Sequence, residues 1–164
     1  SDSTYNKRRA LCENVSNLVQ KEALRDVNVS ELEIIKHLIA EEDYQKVLYV
    51  IEEIERTRKA AEVIRKNEIP ALGKLLFQTH KGLSEQYEVS CEELDYLVDL
   101  AKKSTAVLGA RMMGGGFGGC TLNIIKKAET AYFLAETKKA YKKKFGYDCT
   151  VIKVKLSQGT QLIN

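Results

Sequence analysis

The stretch Gly109-Ala110-Arg111-Met112-Met113-Gly114-Gly115-Gly116-Phe117-Gly118-Gly119-Cys120 holds six of the chain's ten glycines. Ordering so many glycines costs backbone entropy, so a cluster this dense marks a sharp turn or a close approach that residues with side chains cannot make. Gly114, Gly116 and Gly119 match the spacing G-x-G-x-x-G, but that dinucleotide fingerprint needs a strand before it and a helix opening directly after it. Here Cys120-Thr121-Leu122-Asn123-Ile124-Ile125 follows, alternating apolar and polar side chains before turning wholly apolar, and the apolar pair Val107-Leu108 comes before. No G-K-[ST] ending is present, which excludes the phosphate-binding P-loop. The stretch reads as a glycine loop joining two strands, or a strand and a turn.

Upstream of the loop the apolar spacing is helical. Leu11, Val15, Leu18 and Val19 predict a helix over residues 5–23, capped by Ser3 or Thr4, and Ser30-Glu31-Leu32-Glu33 reads as a capping box opening a second helix to about residue 39. A long third helix starts near Asp43 and ends before Pro70, the only proline, which fits the first turn of a fourth helix. Ser90-Cys91-Glu92-Glu93 reads as another capping box, opening a fifth helix with Leu94, Leu97, Val98 and Ala101 buried. Downstream of the loop, residues 128–145 return to a helical pattern that stops at Gly146. Residues 150–156 then alternate like a strand, and Gln161-Leu162-Ile163 reads as a short edge strand after Gly159. The expected architecture is α+β, with helices packed on one face of a small, about four-stranded antiparallel sheet: residues 1–104 helical, and residues 105–164 strand, glycine loop, strand, helix, strand, strand.

With 164 residues and 44% hydrophobic content, the chain can bury one sizeable core. Its net charge is only +3, from 26 basic and 23 acidic residues, which gives no electrostatic footprint for nucleic acid or a membrane. The basic run Lys138-Lys139-Ala140-Tyr141-Lys142-Lys143-Lys144 reads as a solvated helix face. Cys12, Cys91, Cys120 and Cys149 stand apart from one another and from His37 and His80, so zinc is not expected, and no metal ligands are assigned. The lack of a signal peptide or long apolar run points to the cytoplasm, and a start at Ser1 rather than Met suggests a fragment. His80 in mid-helix reads as a satisfied structural residue. Cys91 at a helix start would feel the dipole, which lowers a thiol pKa, but no base accompanies it.

The glycine stretch is similar to the third signature of the galactokinase, homoserine kinase, mevalonate kinase and phosphomevalonate kinase superfamily, in its galactokinase form. Three further stretches resemble galactokinases in the expected order: Tyr5-Asn6-Lys7-Arg8-Arg9-Ala10-Leu11-Cys12, Ile51-Glu52-Glu53-Ile54-Glu55-Arg56-Thr57 and Tyr87-Glu88-Val89-Ser90-Cys91-Glu92-Glu93-Leu94-Asp95. Met113 departs from the Thr or Ser usual in the family, and Leu11 from an acidic residue. The sugar-binding signature and the second, Ser-containing phosphate loop of the family are not in this chain.

The resemblance implies the carboxy-terminal domain of a kinase that moves the γ-phosphoryl of ATP to galactose, giving galactose 1-phosphate. It implies ATP and magnesium in the full-length enzyme, neither held tightly by this fragment, and an amino-terminal catalytic domain as partner. No catalytic residue is assigned here, and the fragment is expected to be inactive alone. Gly114, Gly115, Gly116, Phe117, Gly118 and Gly119 are the candidate cleft loop, bracing the phosphate loop and sugar pocket of the other domain. Direct phosphate contact and a turn packed for shape alone are the other readings of the loop. Arg111 beside it reads as a paired residue fixing the strand, or as electrostatic help to a phosphate. A sugar- and ATP-responsive regulator without catalysis, and a kinase for a related sugar, are the alternative functions.

Overall fold

The computed structural model describes residues 4–155 and 159. Six α-helices and one hairpin follow in the order α1 (Thr4–Leu18), α2 (Val29–Ile34), α3 (Glu41–Arg65), α4 (Ile69–Glu85), α5 (Glu92–Lys103), β1 (Val107–Met113), β2 (Cys120–Ile125) and α6 (Thr130–Phe145). Short 3₁₀ turns at Leu24–Asp26, Lys36–Leu38 and Lys127–Glu129 punctuate the connections. The first helix is therefore shorter than its apolar spacing predicts, because the chain breaks at Gln20, whose φ is +57°.

Two helix starts differ from the expected capping boxes. The α2 box is set by Asn28, whose side chain accepts from the Glu31 amide while the Glu31 carboxylate accepts from the Asn28 amide, both at 3.0 Å. Asn is at least as good an N-cap as Ser, and two overlapping boxes cannot both form, so Ser30 falls inside the helix. At α5 the N-cap is Cys91 with no side-chain cap bond, because the Ser90 hydroxyl donates instead to Asp95 Oδ1 at 2.6 Å. A charged acceptor binds a hydroxyl proton more strongly than a neutral one, so the Ser90 side chain is turned toward Asp95. Pro70 sits in the first turn of α4, and α6 stops at Gly146, whose φ of +83° gives the left-handed cap expected there.

Among the described residues the sheet has two strands, β1 and β2, antiparallel with Met113 opposite Cys120 and a bulge between Val107 and Gly109. The expectation of about four strands is corrected: residues 151–155 pair with nothing in the sheet. Their alternation is real, but Ile152 and Val154 point to solvent, at 76% and 71% exposure, so no buried face drives pairing. The edge strand placed at Gln161-Leu162-Ile163 lies outside the described residues.

One core joins α1, α2 and α3 through Val15, Leu24, Leu32, Tyr44, Val47 and Ile51. A second packs α5 and α6 on one sheet face, through Val98, Ala101, Ala110 and Phe133. Helix α4 lies along the outer edge of β1 and sends Phe77 against the same core, and Gly73 and Gly109 let the two backbones touch: a Cβ on Gly73 would sit 1.9 Å from the Leu108 carbonyl oxygen. Covering an edge with a helix keeps its unpaired backbone groups from other strands. A third, smaller core of Val89, Leu94 and Met112 lies where the glycine loop leaves β1. Full burial of a side chain such as Met112 is worth about 1.5–3 kcal/mol, so this small core anchors the base of the loop.

Candidate functional site

The glycine loop joins β1 to β2 as read from the sequence, and it is exposed except at Gly116 and Gly118, which are half-buried. Gly114, Gly116, Phe117, Gly118 and Gly119 all have positive φ, a run that only a glycine-rich stretch sustains without heavy strain. Two anchors hold the shape from outside the hairpin. The first is Val89, in the turn between α4 and α5, whose carbonyl accepts the Phe117 amide at 2.7 Å. Gly116 lies against the same residue so closely that a Cβ there would fall 2.3 Å from the Val89 oxygen. The second anchor is Tyr5 of α1, whose hydroxyl donates to the Gly115 carbonyl and whose ring meets Phe117 edge-on, centroids 6.2 Å apart.

Arg8 of α1 fixes the Val89 turn in its place. Its guanidinium is buried, donating to the Tyr87 carbonyl from Nη2 at 2.8 Å and from Nε at 3.2 Å, and to the Glu88 carbonyl at 3.2 Å. It also lies over the Tyr87 ring, 5.1 Å from the centroid. A planar fork can serve two adjacent carbonyls and a ring at once, which an ammonium cannot. Glu88, with φ +54°, is held in the left-handed region within this turn and pairs with buried Lys46 at 3.4 Å.

His80 is satisfied at both ring nitrogens. The Met112 amide on the outer edge of β1 donates to its Nδ1 at 3.2 Å, and Nε2 lies 3.1 Å from Asp95 Oδ1. An accepting Nδ1 carries no proton, so the ring is the neutral Nε2–H tautomer. Burial is the main cause that holds His80 below the ordinary histidine range, with Asp95 pulling the other way. Asp95 also accepts from Ser84 at 2.9 Å and from Ser90 at 2.6 Å.

Arg111 leaves the other side of β1 and donates from Nε to the Met112 carbonyl at 2.8 Å. Its Nη1 is 3.9 Å from Glu53 Oε1 of α3, an oxygen that also accepts from Thr79 at 2.8 Å. The geometry is that of a paired arginine. Cys91 sits at the start of α5, but burial pushes its thiol up, and this outweighs the backbone amides there that pull it down. Among the described residues no three His, Cys, Asp or Glu side chains gather as a metal site, and no helix is long and apolar enough to cross a membrane. Tyr5, Arg8 and Val89 were not singled out by spacing; Tyr5 and Arg8 sit in one galactokinase-like stretch and Val89 in another, and only the fold reveals what they do.

Residues 59–137 match the family model described as GHMP kinases C terminal. Across nearly its whole length the chain is similar to galactokinases. It is 39% identical to that of Thermotoga petrophila over 163 residues, 99% of this chain and 45% of that protein. It is 38% identical to the galactokinase of Homo sapiens over 141 residues, 86% of this chain and 36% of that one. The solved structure of Lactococcus lactis galactokinase complexed with galactose superposes with a TM-score of 0.82 at 29% identity, over 90% of this chain and 39% of that one. The chain thus spans less than half the length of these relatives.

Proposed function

We propose that this chain is the carboxy-terminal domain of a galactokinase and that its glycine loop lines the cleft in which ATP phosphorylates galactose. The observation that carries the reading is similarity to galactokinases over 99% of the chain, with the glycine loop inside the matched length. Phosphoryl transfer depends on positioning and on stabilising spread negative charge, so a domain without acid, base or nucleophile can still serve it by shape. The loop suits that role because its form is imposed from outside, by Val89 and Tyr5. It does not open a helix, so no dipole is aimed from it at an anion, which favours bracing of a neighbouring loop over direct phosphate contact. Met113, Cys120 and Leu122 are exposed on the sheet face away from α5 and α6, a surface suited to meeting a further domain.

ATP supplies the transferred group, and magnesium would neutralise charge on its phosphates. The described residues offer no cluster of ligands for that ion, so no magnesium-dependent step is assigned to them. The test is galactose 1-phosphate formation from ATP and galactose, by this chain alone and by the full-length gene product. Turnover is expected only from the longer protein. Comparable turnover by this chain alone overturns the bracing role, phosphorylation of a different sugar by the full-length product overturns the substrate, and binding of galactose without any turnover assigns it to a regulator.

A further inference from the structure

The stem and the tip of the glycine loop are anchored by different parts of the chain, and one hydrogen-bonded chain joins the two anchors. The stem is held where the Met112 amide donates to His80 Nδ1, and Met112 itself is 1% exposed. From His80 the chain runs through Nε2 to Asp95, and from Asp95 to the Ser90 hydroxyl, next in sequence to Val89. Val89 holds the tip by accepting the Phe117 amide. Met112 also packs against Val89 and Leu94 in the small core beneath, so stem and turn share one packed base.

Of the chain's two titratable links, His80 and Asp95, the imidazole is the one with a built-in polarity toward the loop. Protonation of His80 at Nδ1 would set a ring N–H against the Met112 N–H, and two donors cannot bond each other. The Met112 amide would then be buried with no acceptor, a state the fold relieves by moving β1. The charged groups around the ring are Asp95, Asp99 and Lys102, all on α5. From β1 the charged side chain is Arg111, which pairs with Glu53 of α3, and Glu53 accepts from Thr79 of α4, next in sequence to His80. Asp95 is 41% exposed, so the ring's proton can exchange with solvent through it although the ring itself is 3% exposed.

We propose that His80 is a proton-responsive positioning residue for the glycine loop: its neutral imidazole holds the loop's incoming strand at Met112, and protonation at Nδ1 releases that strand. Its bearing on catalysis rests on the kinase reading above, whereas the loop geometry it controls can be read on this chain without any substrate.

The experiment is a pH titration of the ¹⁵N-labelled chain by nuclear magnetic resonance, following the imidazole nitrogens of His80 and the amides of Met112, Phe117 and the five loop glycines. At pH 7.5 His80 should show the Nε2–H tautomer. As pH falls, the Met112, Phe117 and loop amides should shift with the same midpoint as the His80 ring, below the ordinary value of about 6.5, and independently of His37. His80→Asn keeps a side-chain acceptor near the Nδ1 position and cannot be protonated in this range, so the loop amides should keep their pH 7.5 positions and lose the titration. His80→Phe removes the acceptor and should shift the same amides at every pH. Should His80→Phe not fold, the wild type and His80→Asn still decide. An Nδ1–H tautomer, loop amides that ignore the His80 midpoint, or an undiminished titration in His80→Asn would each overturn the proposal.

Discussion

Replacing Gly116 by alanine tests whether the loop's shape is imposed by the Val89 turn. The new Cβ would lie 2.3 Å from the Val89 oxygen and 2.8 Å from its Cβ, at a φ of +95°. The backbone conformation alone costs an alanine about 1–2 kcal/mol. The collision adds about 1–3 kcal/mol, as overpacking does, because the atoms met are backbone and cannot rotate away. Gly118 is the built-in control, since it has a φ of +134° and open space around its Cβ position. Gly118→Ala therefore pays the conformational cost without the collision. The expected result is that Gly116→Ala loses about 1–3 kcal/mol more than Gly118→Ala in urea unfolding. Hydrogen exchange at the Phe117 amide, the donor to Val89, should quicken about tenfold for every 1.4 kcal/mol of anchoring lost. Equal losses for the two variants, within about 0.5 kcal/mol, would refute the idea that Val89 shapes the loop.

Arg8→Met should cost about 1.5–3 kcal/mol, since a charged donor to part-buried carbonyls is lost, and Arg8→Lys should recover only part of it; thermal unfolding reads both. Gly73→Ala, with its Cβ 1.9 Å from the Leu108 oxygen, should cost at least about 3 kcal/mol or prevent folding, seen as loss of the cooperative transition. Because burial lowers the His80 pKa, the folded chain binds fewer protons than the unfolded chain between that lowered value and about 6.5. Its contribution is complete above about pH 6.5 and is lost as pH falls through the folded value; urea midpoints between pH 7.5 and 5 should fall accordingly, and less so in His80→Asn. Thiol labelling under native conditions should modify exposed Cys120 first, with Cys12 and Cys91 slowed by burial that raises both thiols, and mass spectrometry of timed digests gives the order.

The hairpin was legible because its signals are local: glycine density between two β-prone runs leaves few alternatives, and the strands fall at Val107–Met113 and Cys120–Ile125. Helices α3 to α6 were legible for the same reason, through apolar spacing, Pro70 and Gly146. What failed was competition. Ser30 and Asn28 both satisfied the capping pattern, and Ser90 met a carboxylate, Asp95, that the pattern does not contain. The strand expected over residues 150–156 does not form over the described residues 150–155, because alternation specifies a half-buried face only where something buries it. At the site, the roles of Tyr5, Arg8 and His80 depend on partners 110, 79 and 32 residues away in sequence, and no local pattern encodes such distances.

The contact between Tyr5 and the loop also bears on where this domain can be cut. The residues that match the family model, 59–137, contain both strands, all the loop glycines, His80 and Asp95. They do not contain α1. A piece trimmed to those boundaries would keep the signature intact as text, yet it would lose the Tyr5 hydroxyl under Gly115 and the Arg8 fork that holds the Val89 turn. The unit that makes the loop a shaped object is thus larger than the unit that makes it recognisable, and it closes only when the chain's first helix has come back to meet residues more than a hundred positions later.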